Sequence, residues 1–392
     1  MKKRITFGAS VGLLGMVGAA GCSGGSESAS SPGIVFAVSG EALALGGYAF
    51  PPVSPDDPVF VDGWDVRFDR LLVTVDQITL SSNPDKVSTD QAQTDAVVAQ
   101  VDGPWAVDLH ESDPTYLQGK GGGDELAVPI ATLTTQNKNG GDPFPADGTR
   151  YAFGFDIVPA STNATKVNLD AAASADYDQM IASGCTVLYV GTAAFKGNAS
   201  CGADLDPAYA TWPTTVHFRL CFKTPTTYVN CQNPDNDPAR PFGDEEHQRG
   251  IAFKSNEQVV AQITIHTDHP FWDSVVHDSP AHFDAFAARV AGRTGVPTVT
   301  LEDTVGVDYT SYTDALGRPL NWRYCVEPTT AAHPKFTGAM AFDPGSVPHA
   351  TGIDPETGLR DYYDFAAYDQ STQGHLNSDG LCVVKRRYAS PL

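Results

Sequence analysis

The sequence predicts a mainly β protein: an antiparallel β-sandwich with one or two short helices and a loop-rich, disulfide-stapled C-terminal extension. Three observations carry this expectation. One-sided alternation of apolar and polar residues recurs along the chain, the period of a strand with one buried face. The alternating runs are punctuated by loops in a chain with 37 Gly and 28 Pro, which suits many turns and few long helices. Six of the seven cysteines lie between Cys185 and Cys382, an even number that suits a disulfide framework.

The chain opens with MKKRITFGASVGLLGMVGAAGCSGG, a basic start followed by an apolar stretch too short and glycine-rich for a comfortable membrane span. It ends in Ala19-Ala20-Gly21-Cys22, which resembles the lipobox of bacterial lipoproteins. That resemblance implies a signal peptide over 1–21, lipidation of Cys22, and anchoring of an exported protein to a bacterial membrane. Ser23, where an aspartate would retain a lipoprotein at the inner membrane, implies the outer membrane, with the protein periplasmic or displayed at the cell surface. Residues 22–33 read as a flexible Ser/Gly tether.

A β domain is expected over 34–293. In WDVRFDRLLVTVDQITL, Trp64, Val66 and Phe68 alternate with charged residues, and the apolar phase then slips to Leu71, Val73 and Val75, as a β-bulge requires. RYAFGFDIV places Tyr151, Phe153, Phe155 and Ile157 on one face; VHFRLCFK does so with Val216, Phe218, Leu220 and Phe222. VVAQITIH repeats the pattern with Val259, Ala261, Ile263 and Ile265, and TVLYV reads as a short buried strand. The best helix signal is SPAHFDAFAARVAG, with Ser279 as cap, Gly292 as stop and Phe283, Phe286, Ala287 and Val290 as one apolar stripe. A second short helix is predicted over 176–182. Residues 294–392 read as a loop-rich extension. Proximity favours the disulfides Cys185–Cys201, Cys221–Cys231 and Cys325–Cys382, the last stapling the extension to itself.

The formal charge of −22 repels nucleic acid and anionic headgroups and attracts cations, so no nucleic-acid partner is expected. Function then turns on ITIHTDHPFWDSVVHDSPAHFD, which holds four of the ten histidines and four aspartates. A helix starting at Pro270 would stack His269, Asp273 and His277 on one side, while His266 and Asp268 reach the same point from the strand end. His217 could join if its strand neighbours that of His266. Imidazole with carboxylate suits zinc, copper or non-haem iron, while calcium prefers oxygen alone; copper or zinc is the expectation. The layout of early strand pair, later disulfides and histidine cluster is similar to that of the methanobactin-associated periplasmic copper-binding proteins; no site residue is taken from that resemblance.

The sequence therefore predicts a lipid-anchored exported protein that binds copper or zinc through His266, Asp268, His269, Asp273, His277 and His217, for storage, delivery or structural use. Two other classes stay open. One is a β-sandwich module binding glycan or protein through aromatic loops such as GIDPETGLRDYYDF, the histidines only packing. The other is a metal-dependent hydrolase with an open coordination position beside a base such as Asp268 or Asp273. Asp108 with His110, and the acidic loop NPDNDPARPFGDEE around His247, are weaker ligand candidates. No G-x-S-x-G elbow, P-loop or dinucleotide fingerprint marks an enzyme.

Overall fold

A computed structural model describes residues 32–134, 144–197, 201, 206–236, 245–326, 338–349 and 358–386. The leader, Cys22 and the tether as far as residue 31 lie outside the described residues, as do 237–244 of the acidic loop and 352–357 of the aromatic loop. In chain order the first half contains β1 (Gly33–Ser39), α1 (Glu41–Gly46), β2 (Trp64–Ser81), β3 (Val97–Val101), β4 (Trp105–Asp108), β5 (Leu117–Gln118), β6 (Leu126–Leu133), β7 (Asp147–Ile157) and β8 (Thr165–Lys166). Then come α2 (Ala171–Ser183), β9 (Val187–Phe195), β10 (Thr215–Phe222), β11 (Thr226–Val229), β12 (Ile251–Lys254) and β13 (Gln258–Ile265). The last part holds α3 (Asp284–Ala287), β14 (Thr298–Thr300), α4 (Tyr362–Gln370), β15 (Gly374–Leu376), β16 (Gly380–Leu381) and β17 (Val383–Arg386).

The strands form two sheets of a β-sandwich. The smaller runs β16-β15-β13-β1-β6-β5; the larger is built on β14-β10-β9-β2-β7-β11-β17, with β3, β4, β8 and β12 branching from it. Both sheets are mixed rather than purely antiparallel, because β1 pairs in parallel with β13, β10 with β14 and β4 with β8. Parallel pairing is tolerated where both faces are covered, and β13 meets this condition at its end, where Gln262 and Thr264 are as buried as Ile263 and Ile265.

The alternating residues build the core. Trp64, Val66 and Phe68, then Leu71, Val73 and Val75, are buried, and the register of β2 against β9 shifts between Phe68 and Arg70, where the apolar phase slips. Phe36 of the smaller sheet meets Phe153 of the larger at 6.1 Å between ring centroids. A smaller cluster around Leu72, Leu188, Tyr177 and Met180 lies under α2. That helix begins earlier than the expected 176–182, because the Asp170 carboxylate accepts from Ala173 N at 2.7 Å and caps it; Gly184, at φ +75°, ends it.

Three expectations change. The helix predicted from Ser279 shrinks to α3 and one further turn, Ala288–Val290. Ala281 instead forms bridges with Trp272 and Phe60, which hold 279–283 out of the helix. The C-terminal extension carries a helix, α4, and four strands, β14 to β17, that add to both sheets. The disulfides are Cys185–Cys221, Cys201–Cys325 and Cys231–Cys382, not the sequence-neighbour pairs. The last two tie the extension to the body rather than to itself: β15 and β17 pair with β13 and β11 on either side of Cys382, and Cys325 lies beside Val61, its N–H donating to Val61 O at 2.6 Å. Three disulfides point to an oxidising, exported environment. Among the described residues no helix is long and apolar enough to cross a membrane.

Candidate metal centre

Four histidines converge where the smaller sheet meets α4: His266, His269, His277 and His375, each offering a ring nitrogen within 4.8 Å of the others. Pairing and turns explain how each arrives. β13 pairs antiparallel with β15, placing His375 opposite Thr264. His266 continues that ladder, its backbone N–H donating to Gln373 O at 3.0 Å. Two residues beyond Thr264, His266 shares a face with His375 as its diagonal neighbour, and the two rings lie 4.2 Å apart.

His269 comes from the turn that follows. Pro270 starts only a single 3₁₀ turn, His269–Phe271, and Trp272 is extended. The helix expected through Asp273 and His277 does not form, because Phe271 and Trp272 are drawn into the core and Asp273 N donates to Pro280 O at 3.0 Å. That bond closes the neck of a loop whose tip carries His277 back over the cluster, 5.6 Å from the His269 ring and 5.4 Å from His375.

Hydrogen bonding fixes one of the tautomers. The Thr372 hydroxyl donates to Asp369 O at 2.7 Å, which uses its only proton. It must therefore accept from His269 Nδ1, also at 2.7 Å. His269 is thus protonated at Nδ1, and its Nε2, buried without a partner, carries the free lone pair. In His375 both ring nitrogens are buried without partners. His277 Nδ1 lies 3.2 Å from the Asp278 carboxylate, which leaves Nε2 as its donor. Buried polar atoms left unpaired cost on the order of 1–3 kcal/mol each, so this arrangement is explained if something else satisfies them.

Electrostatics point the same way. Burial, then the charges of the neighbouring histidines, holds His269 and His375 well below the usual histidine range, so both are bare ligands at neutral pH. Burial also opposes charge on His266, but Glu41, 3.7 Å away, outweighs it and raises that ring's pKa. Asp268 is partly buried beside the cluster, and desolvation raises its pKa against the pull of His266. Its carboxylate accepts from Trp272 Nε1 at 3.3 Å, and the Trp272 indole stacks on His269 at 3.7 Å. Glu41 and Asp268 are thus two acids beside the four rings, placed to balance the charge of a bound cation.

The distances can be compared with a bound ion. Zinc–imidazole bonds of about 2.0–2.1 Å in a tetrahedron put donor nitrogens roughly 3.3–3.4 Å apart. A spread of up to 4.8 Å therefore closes with inward shifts of less than about 1 Å per ring, within reach of side-chain adjustment.

The structure brings His266, His269 and His277 together and adds His375, from the segment 294–392 expected to be a loop-rich extension. Asp268 lies beside the group as a neighbouring carboxylate. Asp273 faces away from it, 3.1 Å from His282 Nε2, and His282 sits fully buried between Asp273 and Asp62 with Trp322 packed on its ring. His217 belongs to the other sheet, where Nδ1 lies 2.9 Å from the Thr192 hydroxyl. Asp108 accepts backbone N–H groups of Leu71 and His110, and His110 reaches Ala44 O, so this pair ties strands together. In the acidic loop, Asp235 pairs with Lys120 at 2.7 Å and Glu245 with Arg249. Tyr362, Tyr363 and Phe365 are core residues.

Three clefts, of about 490, 420 and 200 Å³, open elsewhere on the protein, and none of the four histidines lines any of them. No protein-family model, curated protein or solved structure matches the chain.

Proposed function

We propose that this is an exported protein that holds a copper or zinc ion in a four-histidine site made by His266, His269, His277 and His375. The observation that carries the reading is the convergence of four imidazole donors within 4.8 Å, two of them on fully buried rings with unpartnered nitrogens. An all-imidazole set suits zinc or copper, whereas calcium requires oxygen ligands. Four rings fill a tetrahedron, which favours storage, delivery or a structural ion over hydrolysis, since catalytic zinc keeps a position for water. Lipidation at Cys22 would hold the protein at a bacterial outer membrane.

The test is elemental analysis of residues 23–392, exported to an oxidising compartment and purified without a histidine tag or chelator. The proposal expects close to one copper or zinc per chain, lost in His269→Ala and His375→Ala variants that retain wild-type far-UV circular dichroism. A folded wild type that neither carries such an ion nor takes one up on titration would end it.

A further inference from the structure

Resting on the four-histidine reading, we infer that His277 is the exchange ligand of the centre: the donor that leaves first when the ion passes to another molecule. The four rings are not equivalent in their access to water. His269 and His375 are 0% and 1% exposed, and the side chain of His266 is 14% exposed behind Glu41. The His277 side chain is 38% exposed. Its backbone differs too. His266 and His375 stand on paired strands, and His269 is fixed by Thr372. His277 sits at the tip of a loop anchored at its base, by Asp273 N to Pro280 O and Val275 N to Asp343 O, with its neighbour Val276 60% exposed.

This asymmetry makes three rings a seat and the fourth a lid. Of the four rings, His277 is the one most open to an approaching acceptor. Exchange is a ligand substitution without redox change: an incoming carboxylate, imidazole or thiolate donates a lone pair to the ion, and His277 departs with its own pair as neutral imidazole. Asp278, 82% exposed and 3.2 Å from His277 Nδ1, keeps the ring aimed and adds negative charge at the opening, where it favours the arriving cation. The implied partner is a carrier that presents such a donor on a protruding group, since the seat itself is enclosed.

The test follows transfer of Cu(II) from loaded protein to excess EDTA by stopped-flow absorbance. Wild type should show rates that saturate with EDTA, limited by departure of His277. His277→Ala should still bind one ion, release it at least about tenfold faster, and lose the saturation, since most changes in affinity appear in dissociation. His375→Ala should fail to hold the ion. The inference is overturned if His277→Ala loses binding as fully as His375→Ala, or if its transfer rate and EDTA dependence match wild type. A wild type that takes up no copper and no zinc removes the four-histidine reading itself, an outcome distinct from either of these.

Discussion

At the scale of single residues, the centre depends on what holds each ring. Thr372 is the clearest case, because its hydroxyl sets the His269 tautomer. Thr372→Val removes the acceptor with little change of shape and should weaken metal binding about 10- to 100-fold, as loss of an outer partner does; Thr372→Ser should restore it. A competition titration against a chromophoric chelator reads both, and equal affinity in all three proteins would contradict the assignment. A second residue governs pH dependence. Burial, then the nearby Asp284 charge, lifts Asp62 from 3.8 to about 7, against the pull of His282 and Arg323. The folded state therefore binds a proton that the unfolded chain has released, and this contribution to stability falls as pH rises from about 4 to 7. His282, Asp273, Asp284 and Arg323 face the same spot and remain when Asp62 is replaced. Asp62→Asn, neutral at every pH, should gain on wild type in urea as pH rises from about 4 to 7 and keep that lead at pH 8; equal pH slopes would contradict this. Of the ligands, His266, His269 and His277 were legible from their crowding. His375 stood in GHLNSDGL, whose Asn377-Ser378 turn, with both residues at positive φ, is a hairpin signal that places the histidine on a strand. Thr372 and Glu41 carried no signal, since their roles exist only after folding.

At the scale of elements, the strands were the most legible part, because alternation reports directly which face is buried. The slip in β2 even located its bulge. The loop bearing His277 was not legible: HPFWDS fits a helix by spacing, and only the burial of Phe271 and Trp272 and the bridge from Trp272 to Ala281 prevent one. The contact between β2 and β9 gives a sharp test. A Cβ at Gly191 would lie 2.1 Å from Arg67 O and 2.4 Å from the Phe218 ring, so backbone and core would both have to shift. Gly191→Ala should cost about 1–3 kcal/mol, the range for overpacking, in chemical denaturation. An unchanged midpoint would show that the two strands are not so closely apposed.

At the scale of the whole molecule, the tail completes both the fold and the centre. β15 extends the sheet that begins with β1 and brings His375, while β17 pairs with β11. Such long-range pairings are invisible to sequence proximity, which is why neighbouring cysteines misled. Cys231–Cys382 spans 151 residues and locks this closure. Replacing both cysteines by serine should cost about 2–5 kcal/mol, measured by guanidinium unfolding, and should weaken metal binding with it by loosening β15. Unchanged stability would contradict that role. The central claim is tested most directly by anomalous diffraction at the copper and zinc absorption edges, on crystals of protein exposed to each ion. One strong peak, within about 2.0–2.1 Å of a nitrogen from each of His266, His269, His277 and His375, is the predicted result. A peak held by other residues, or none at the four histidines in well-ordered crystals, would contradict it.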